Sequence, residues 1–170
     1  QNVLNLISTD SANGKSYLAQ ELENYWISIG LQVRRLTYDE DFLADDSKFI
    51  MSTSIKDLCP DILPDEIAIV EYPNLNDHSI PSSLLNMGTI NLMVTRANRT
   101  WKDIDQKALK EVQSQLEDQN SLFMYLTEIA VFLFQKELHD CYSSWVSQGF
   151  GKSSQFFRLF RVYNVRVHDL

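Results

Sequence analysis

The apolar run Val3–Ser8 (VLNLIS) gives way to the small, polar segment Thr9-Asp10-Ser11-Ala12-Asn13-Gly14-Lys15-Ser16, after which apolar residues recur at helical spacing. No other stretch constrains the fold as tightly. The run is short and rich in strand formers, as a buried strand is. Leu18, Leu22, Trp26 and Ile29 then mark one face of a helix, and Gly30 stands where its C-cap is expected. A strand feeding a helix through a short polar loop is the opening of a βαβ unit, which leads to a parallel sheet covered by helices.

The rest of the chain repeats that alternation. Residues 32–37 read as a second strand, and the acidic stretch 39–46 as a solvated loop. A weak strand is expected at 49–52, with a short helical turn before Pro60. Residues 67–71 (IAIVE) make the best buried strand, residues 90–95 (INLMVT) another, and residues 122–126 a last one. A long helix is expected to start at Thr100, which forms a capping-box-like pair with Asp103, and to bury Ile104, Ala108, Val112 and Leu116. An apolar helix is expected over about 128–145. The expected fold is therefore α/β, a mainly parallel β-sheet with helices on both faces in three layers, with Val3–Ser8 and 67–71 as neighbouring central strands.

Composition narrows the function. With 44% hydrophobic and 22% charged residues the chain matches an ordinary soluble domain, and no apolar run reaches the roughly 18–20 residues that span a bilayer. It opens at Gln1 without a start Met or signal-peptide pattern, so we expect one domain of a longer parent, with room for membrane segments elsewhere in that parent. Cys59 and Cys141 are isolated, which fits a reducing compartment, and His78, His139 and His168 are too scattered for a metal site. The net charge of −8 argues against nucleic acid as a partner. That charge is uneven. Residues 1–146 carry 11 basic and 22 acidic residues, while 147–170 set Lys152, Arg158, Arg161 and Arg166 against Asp169 alone. The chain thus divides into a domain, 1–146, and a basic, aromatic tail, 147–170. The tail either lies on an acidic membrane surface or packs its aromatics on protein.

The loop before the first helix has the context of a phosphate-binding P-loop. Backbone N–H groups of Ser11, Ala12, Asn13 and Gly14 would converge on phosphate oxygens, aided by the helix dipole. Lys15 would reach the terminal phosphates, and the Ser16 hydroxyl would meet Mg²⁺. The usual pattern GxxxxGK[ST] has Thr9 in place of its first glycine. The other reading of the segment is a turn capped by Gly14 with a solvated Lys15. On the phosphate-loop reading the ligand is ATP or ADP with Mg²⁺.

Four segments together resemble the bacterial tyrosine-kinase domains (BY-kinases) associated with the chain-length determinants of capsular and exopolysaccharide export. STDSANGKS is similar to that family's SSxPGEGKS loop. Residues 30–39 (GLQVRRLTYD) match its Walker A′ strand, Ile67–Asn74 (IAIVEYPN) its Walker B strand, and residues 91–102 (NLMVTRANRTWK) its VxRAxxT turn. The resemblance covers roughly 1–127 and keeps the family's order. It implies a P-loop NTPase-like fold and a cytoplasmic domain of an inner-membrane-anchored bacterial protein. The implied partners are other subunits or domains of a polysaccharide export complex, including further copies of the chain. It also implies Mg²⁺ held by Ser16, Asp39 and Glu71.

The departures from the family touch catalysis. Thr37 replaces the first A′ aspartate, Glu71 is one methylene longer than the Walker B aspartate, and only 31 residues lie between Asp39 and Glu71. The tail holds Tyr163 but no tyrosine cluster. Glu71 either contacts Mg²⁺ through water or makes a local hydrogen bond. Arg96 and Arg99 either line a nucleotide or subunit surface or are solvated, and Trp101 and Tyr72 either stack on a ligand or pack. The leading expectation is a degenerate, regulatory nucleotide-binding module of pseudokinase type. The alternatives are an active tyrosine autokinase or ATPase, and a domain that has lost nucleotide binding.

Overall fold

Strand β1 (Val3–Ser8) is buried along its whole length, so both faces of its pleat need cover. Leu4 and Leu6 join the apolar layer beneath helix α1 (Lys15–Ser28), with Leu18, Leu22 and Trp26. Val3 and Ile7 join the opposite layer. Strand β3 (Ile67–Asn74) alternates in the same way, with Ile67 and Ile69 toward α1, Ala68 and Val70 away from it. The computed structural model describes residues 2–42, 46–117, 122–127 and 162–163, without the side chains of 39, 40, 46, 162 and 163.

The remaining strands are β2 (Val33–Thr37), β4 (Ile90–Arg96), β5 (Leu122–Thr127) and the short β6 (Val162–Tyr163). Their order in the sheet is β2-β3-β1-β4-β5-β6. β1 to β5 are parallel throughout, and β6 runs antiparallel to β5. The α/β fold is as expected, and β1 and β3 are central neighbours in the register Val3↔Ala68 to Leu6↔Glu71. α1 covers one face. Helices α2 (Asp46–Met51), α3 (Ile55–Leu58), α4 (Ser82–Asn86) and α5 (Asp103–Gln115) contribute Phe49, Ile55, Leu58, Leu84, Leu85, Leu109 and Val112 to the other.

Near its end β3 slips by one residue against β1: Leu6 pairs with Glu71 but Ser8 with Asn74. Pro73 lies in the slipped stretch and has no N–H to give the ladder, so a bulge is the local solution. The slip sets Asn74 opposite the last residue of β1, beside the loop that follows.

A polar network is sealed inside the α4 side of the sheet. Asn5 Nδ2 donates to Asn91 Oδ1 at 2.8 Å and to Leu84 O at 3.1 Å, and the buried Tyr72 hydroxyl donates to Asn5 Oδ1 at 3.1 Å. Burial pushes the Tyr72 phenol well above its usual pKa. Gly88 is required beside this network, because a Cβ there would stand 2.3 Å from Asn5 Nδ2.

Three local expectations are corrected. The strand expected at 49–52 is the helix α2: Phe49 is buried while Ile50 and Met51 are 56% and 80% exposed, a pattern of one residue per turn. The acidic stretch is not simply a solvated loop. Its start is the π-helical turn Tyr38–Phe42, anchored by buried Tyr38 and Phe42, whose rings both meet Phe49. The long helix starts at Asp103 rather than Thr100, with the Asp105 carboxylate accepting the Lys102 N–H at 3.0 Å. That start leaves Ile104 exposed and buries Asp105, Ala108, Leu109 and Val112. Gly30, at φ 87°, follows the end of α1 as expected, and Tyr72 and Trp101 pack against the core. The helix expected over 128–145, the boundary at 146/147 and the tail apart from β6 lie outside the described residues.

Candidate functional site

At the carboxyl end of β1 the chain makes a 3₁₀ turn, Ser11–Asn13, and then passes through Gly14 at φ 85°, ψ 20° into α1. A right-handed turn followed by a left-handed residue forms a backbone nest that favours anions. Gly14 supplies the positive φ that other residues resist. The ladder of α1 starts with Leu18 N–H donating to Gly14 O, so the first turn of the helix presents its amino end to the loop. The sequence GKS thus sits where a phosphate loop requires it.

Lys15 is not the solvated side chain that the turn reading assumed. It is 8% exposed, and its Nζ donates to Ser8 Oγ at 2.6 Å and to Asn74 Oδ1 at 3.1 Å. The bulge at Pro73 makes this possible by bringing Asn74 level with Ser8. Ser16 Oγ donates to Glu71 Oε2 at 2.7 Å. The loop and Glu71 are therefore joined directly, although the strand expected to end at Glu71 runs on through Pro73 to Asn74, which leaves the acid three residues inside β3.

Glu71 is 5% exposed, and its Oε1 stands 3.9 Å from Arg35 Nε of β2. Two residues of α1 hold that guanidinium: Gln20 Oε1 accepts from Nη1 at 3.2 Å, and Glu23 Oε2 lies 3.8 Å from Nε. Thr37 pairs with Glu71 in register, and its buried hydroxyl makes no hydrogen bond among the described residues. The Thr37 N–H donates to Asp41 Oδ2 at 2.6 Å, so this carboxylate closes the turn after β2. Asp39 lies in the same turn, and its side chain is outside the described residues. These groups border an open cleft of about 270 Å³, to which Ser11, Lys15, Ser16, Arg35, Thr37, Glu71, Asn74, Asp77 and His78 all contribute.

The outer side of the loop is pinned by residues that the sequence left open. Arg96 Nε donates to Ala12 O at 3.2 Å. Arg99 donates through Nη1 to Thr9 Oγ1 at 3.0 Å and through Nη2 to both oxygens of Asp105, at 2.7 and 3.0 Å. Burial alone would raise the Asp105 pKa. The Lys102 N–H, the Thr9 hydroxyl and the Arg99 charge overcome that and hold it below the usual carboxylate range. Thr9, which stands where the motif has glycine, therefore anchors the loop. Both arginines face the loop rather than solvent alone. Sequence reasoning missed Asp105, Asn74 and Arg35; an acid three residues after a helix N-cap was the one readable sign of Asp105.

The Mg²⁺ expectation can be tested on the donors present. Ser16 and Glu71 supply a hydroxyl and a carboxylate, but Thr37 adds no charge and Arg35 brings a cation to the carboxylate. Among the described residues no group of three or more His, Cys, Asp or Glu side chains converges to hold a metal. Magnesium is commonly held by one or two carboxylates with phosphate and water oxygens completing its octahedron, so Ser16 and Glu71 would supply part of such a set, with Arg35 as an opposing charge and the Asp39 side chain outside the described residues.

Among the described residues no helix is long and apolar enough to cross a membrane. No protein-family model matches the chain, and no curated protein matches it. Among solved structures, the kinase domain of Escherichia coli tyrosine kinase ETK is similar with a TM-score of 0.48 and 10% identity, over 79% of this chain and 72% of that one. A likeness at that score carries no argument about function.

Proposed function

We propose that the cleft binds the phosphates of a nucleotide, ATP or ADP, and that the domain uses this binding for regulation through protein contacts. The observation that carries the reading is the hydrogen bond from Ser16, in the first turn after the loop, to Glu71 of the adjacent parallel strand, made beside Lys15. It joins the loop, the helix amino end and the acid of β3 near the crevice where open α/β sheets take ligands. Lys15 exchanges its contacts with Ser8 and Asn74 for charge-assisted ones to phosphate oxygens.

Phosphoryl transfer is the weaker reading. It depends on positioning and on charge stabilisation by metal ions, and here Thr37 and Arg35 occupy positions where that stabilisation is needed. A deficit of about 4 kcal/mol in transition-state stabilisation slows chemistry roughly a thousandfold. The resemblance of the loop, of 30–39 and of Ile67–Asn74 to the polysaccharide-associated kinase family supports placing the domain in an export complex. On that reading it is the cytoplasmic part of a membrane-anchored protein, contacting other subunits or further copies of itself.

Calorimetric titration of the chain with ATP and ADP, beside a Lys15→Ala variant checked for folding by circular dichroism, tests nucleotide binding. Loss of the Lys15 contact weakens binding by about 1.5–3 kcal/mol. Equal affinity in both proteins would reduce the loop to a turn. Incubation with labelled ATP and Mg²⁺ should leave tyrosine unlabelled. Robust label that disappears in the variant would establish the kinase reading instead.

A further inference from the structure

The cation facing Glu71 distinguishes this cleft from one built around a divalent metal. Arg35 reaches within 3.9 Å of Glu71 Oε1 from β2, and Gln20 and Glu23 of α1 hold it there. The other carboxylate oxygen already accepts from Ser16 at 2.7 Å. A dication at Glu71 would share that carboxylate with a guanidinium that cannot lose its charge, and the two cations would repel each other across it. Asp77, at the rim, is engaged through Asn74, whose Nδ2 donates to its Oδ2 at 3.2 Å. Thr37, beside Glu71 in the sheet, contributes a neutral oxygen only.

We infer that the cleft takes the polyphosphate of its nucleotide without a divalent cation, with Arg35 and Lys15 supplying the positive charge that Mg²⁺ would otherwise bring. The inference rests on the nucleotide reading given above. Arg35 lines the same cleft as Lys15 and Ser11, so the cleft offers two cations to a phosphate chain entering from the loop. Ser8 and Asn74, which accept from Lys15, are neutral groups that phosphate oxygens would replace. Guanidinium suits this role because its fork of N–H groups matches phosphate oxygens and it remains charged at any working pH. Arg35 also stays tied to α1 through Gln20, so ligand binding would be felt along that helix.

The test is calorimetric titration of the full chain with ATP and with inorganic tripolyphosphate, each in excess EDTA and in excess MgCl₂. The wild-type protein should bind ATP with dissociation constants that agree within about threefold in the two buffers. Arg35→Met should weaken binding of both probes in EDTA by at least about tenfold, with Mg²⁺ restoring part of the loss because Glu71 is uncovered. Arg35→Lys, which keeps the charge, should retain metal-free binding and guards against a folding defect in the methionine variant. Wild-type binding that requires Mg²⁺ would overturn the inference while leaving the nucleotide reading intact. Failure of ATP to bind in either buffer would overturn both.

Discussion

Replacing Arg99 with methionine tests the clamp that fixes the loop between β1 and α1. The guanidinium is 19% exposed and forks onto Asp105, whose side chain is 1% exposed. Removing the partner of a fully buried carboxylate costs about 3–5 kcal/mol. Here the Lys102 N–H and the Thr9 hydroxyl remain on Asp105, so the loss should be about 2–3 kcal/mol at neutral pH. Urea unfolding, followed by circular dichroism, measures it directly. The pH dependence supplies the second reading. The folded Asp105 pKa lies below its unfolded value, so the clamp contributes fully above the unfolded pKa and is lost as pH falls through the folded one. In the variant, burial prevails and the carboxyl protonates more readily, which relieves the buried charge on acidification. The stability gap between the two proteins should therefore narrow from neutral pH toward about pH 3. A gap under about 0.5 kcal/mol, or one that does not change with pH, would refute the clamp.

Two glycines give sharper local tests. Gly88→Ala places a Cβ 2.3 Å from Asn5 Nδ2 and 2.9 Å from Asn91 Oδ1, and the displaced network should cost about 1–3 kcal/mol in a denaturant melt. Gly14→Ala forces a side chain into φ 85° while meeting Thr127 Cγ2 only at ordinary contact distance, 3.4 Å. It should cost about 1–2 kcal/mol of stability, from backbone strain alone, and should weaken ATP binding in calorimetry by disturbing the nest.

Much of the fold was legible because strand burial is written in local pattern. The runs at Val3–Ser8, 67–71 and 90–95 are apolar on both pleat faces, which only a sheet covered on both sides accommodates. The candidate site was legible where it depends on the chain's own order: a loop with Gly14, Lys15 and Ser16 between strand and helix, and an acid in a later strand. The errors fell where neighbours decide. Residues 49–52 are apolar enough for a strand, but Phe49 finds an aromatic cluster with Tyr38, Phe42 and Tyr72 and needs only one buried face. Thr100 and Asp103 have capping spacing, yet Asp105 is pulled to the Lys102 N–H by the same contact that holds Arg99.

By itself, then, the sequence determined the class of fold and the place of the loop that carries Gly14, Lys15 and Ser16, because periodicity and loop chemistry are properties of consecutive residues. The tertiary structure decided how the site is charged. The bulge at Pro73 moves Asn74 level with Ser8 and buries Lys15. The pairing of β2 with β3 sets Thr37 beside Glu71, and Arg35 reaches across to Glu71 while α1 holds it. Each of these is a contact between residues far apart in the chain, where register and twist, rather than local spacing, determine which charge meets which.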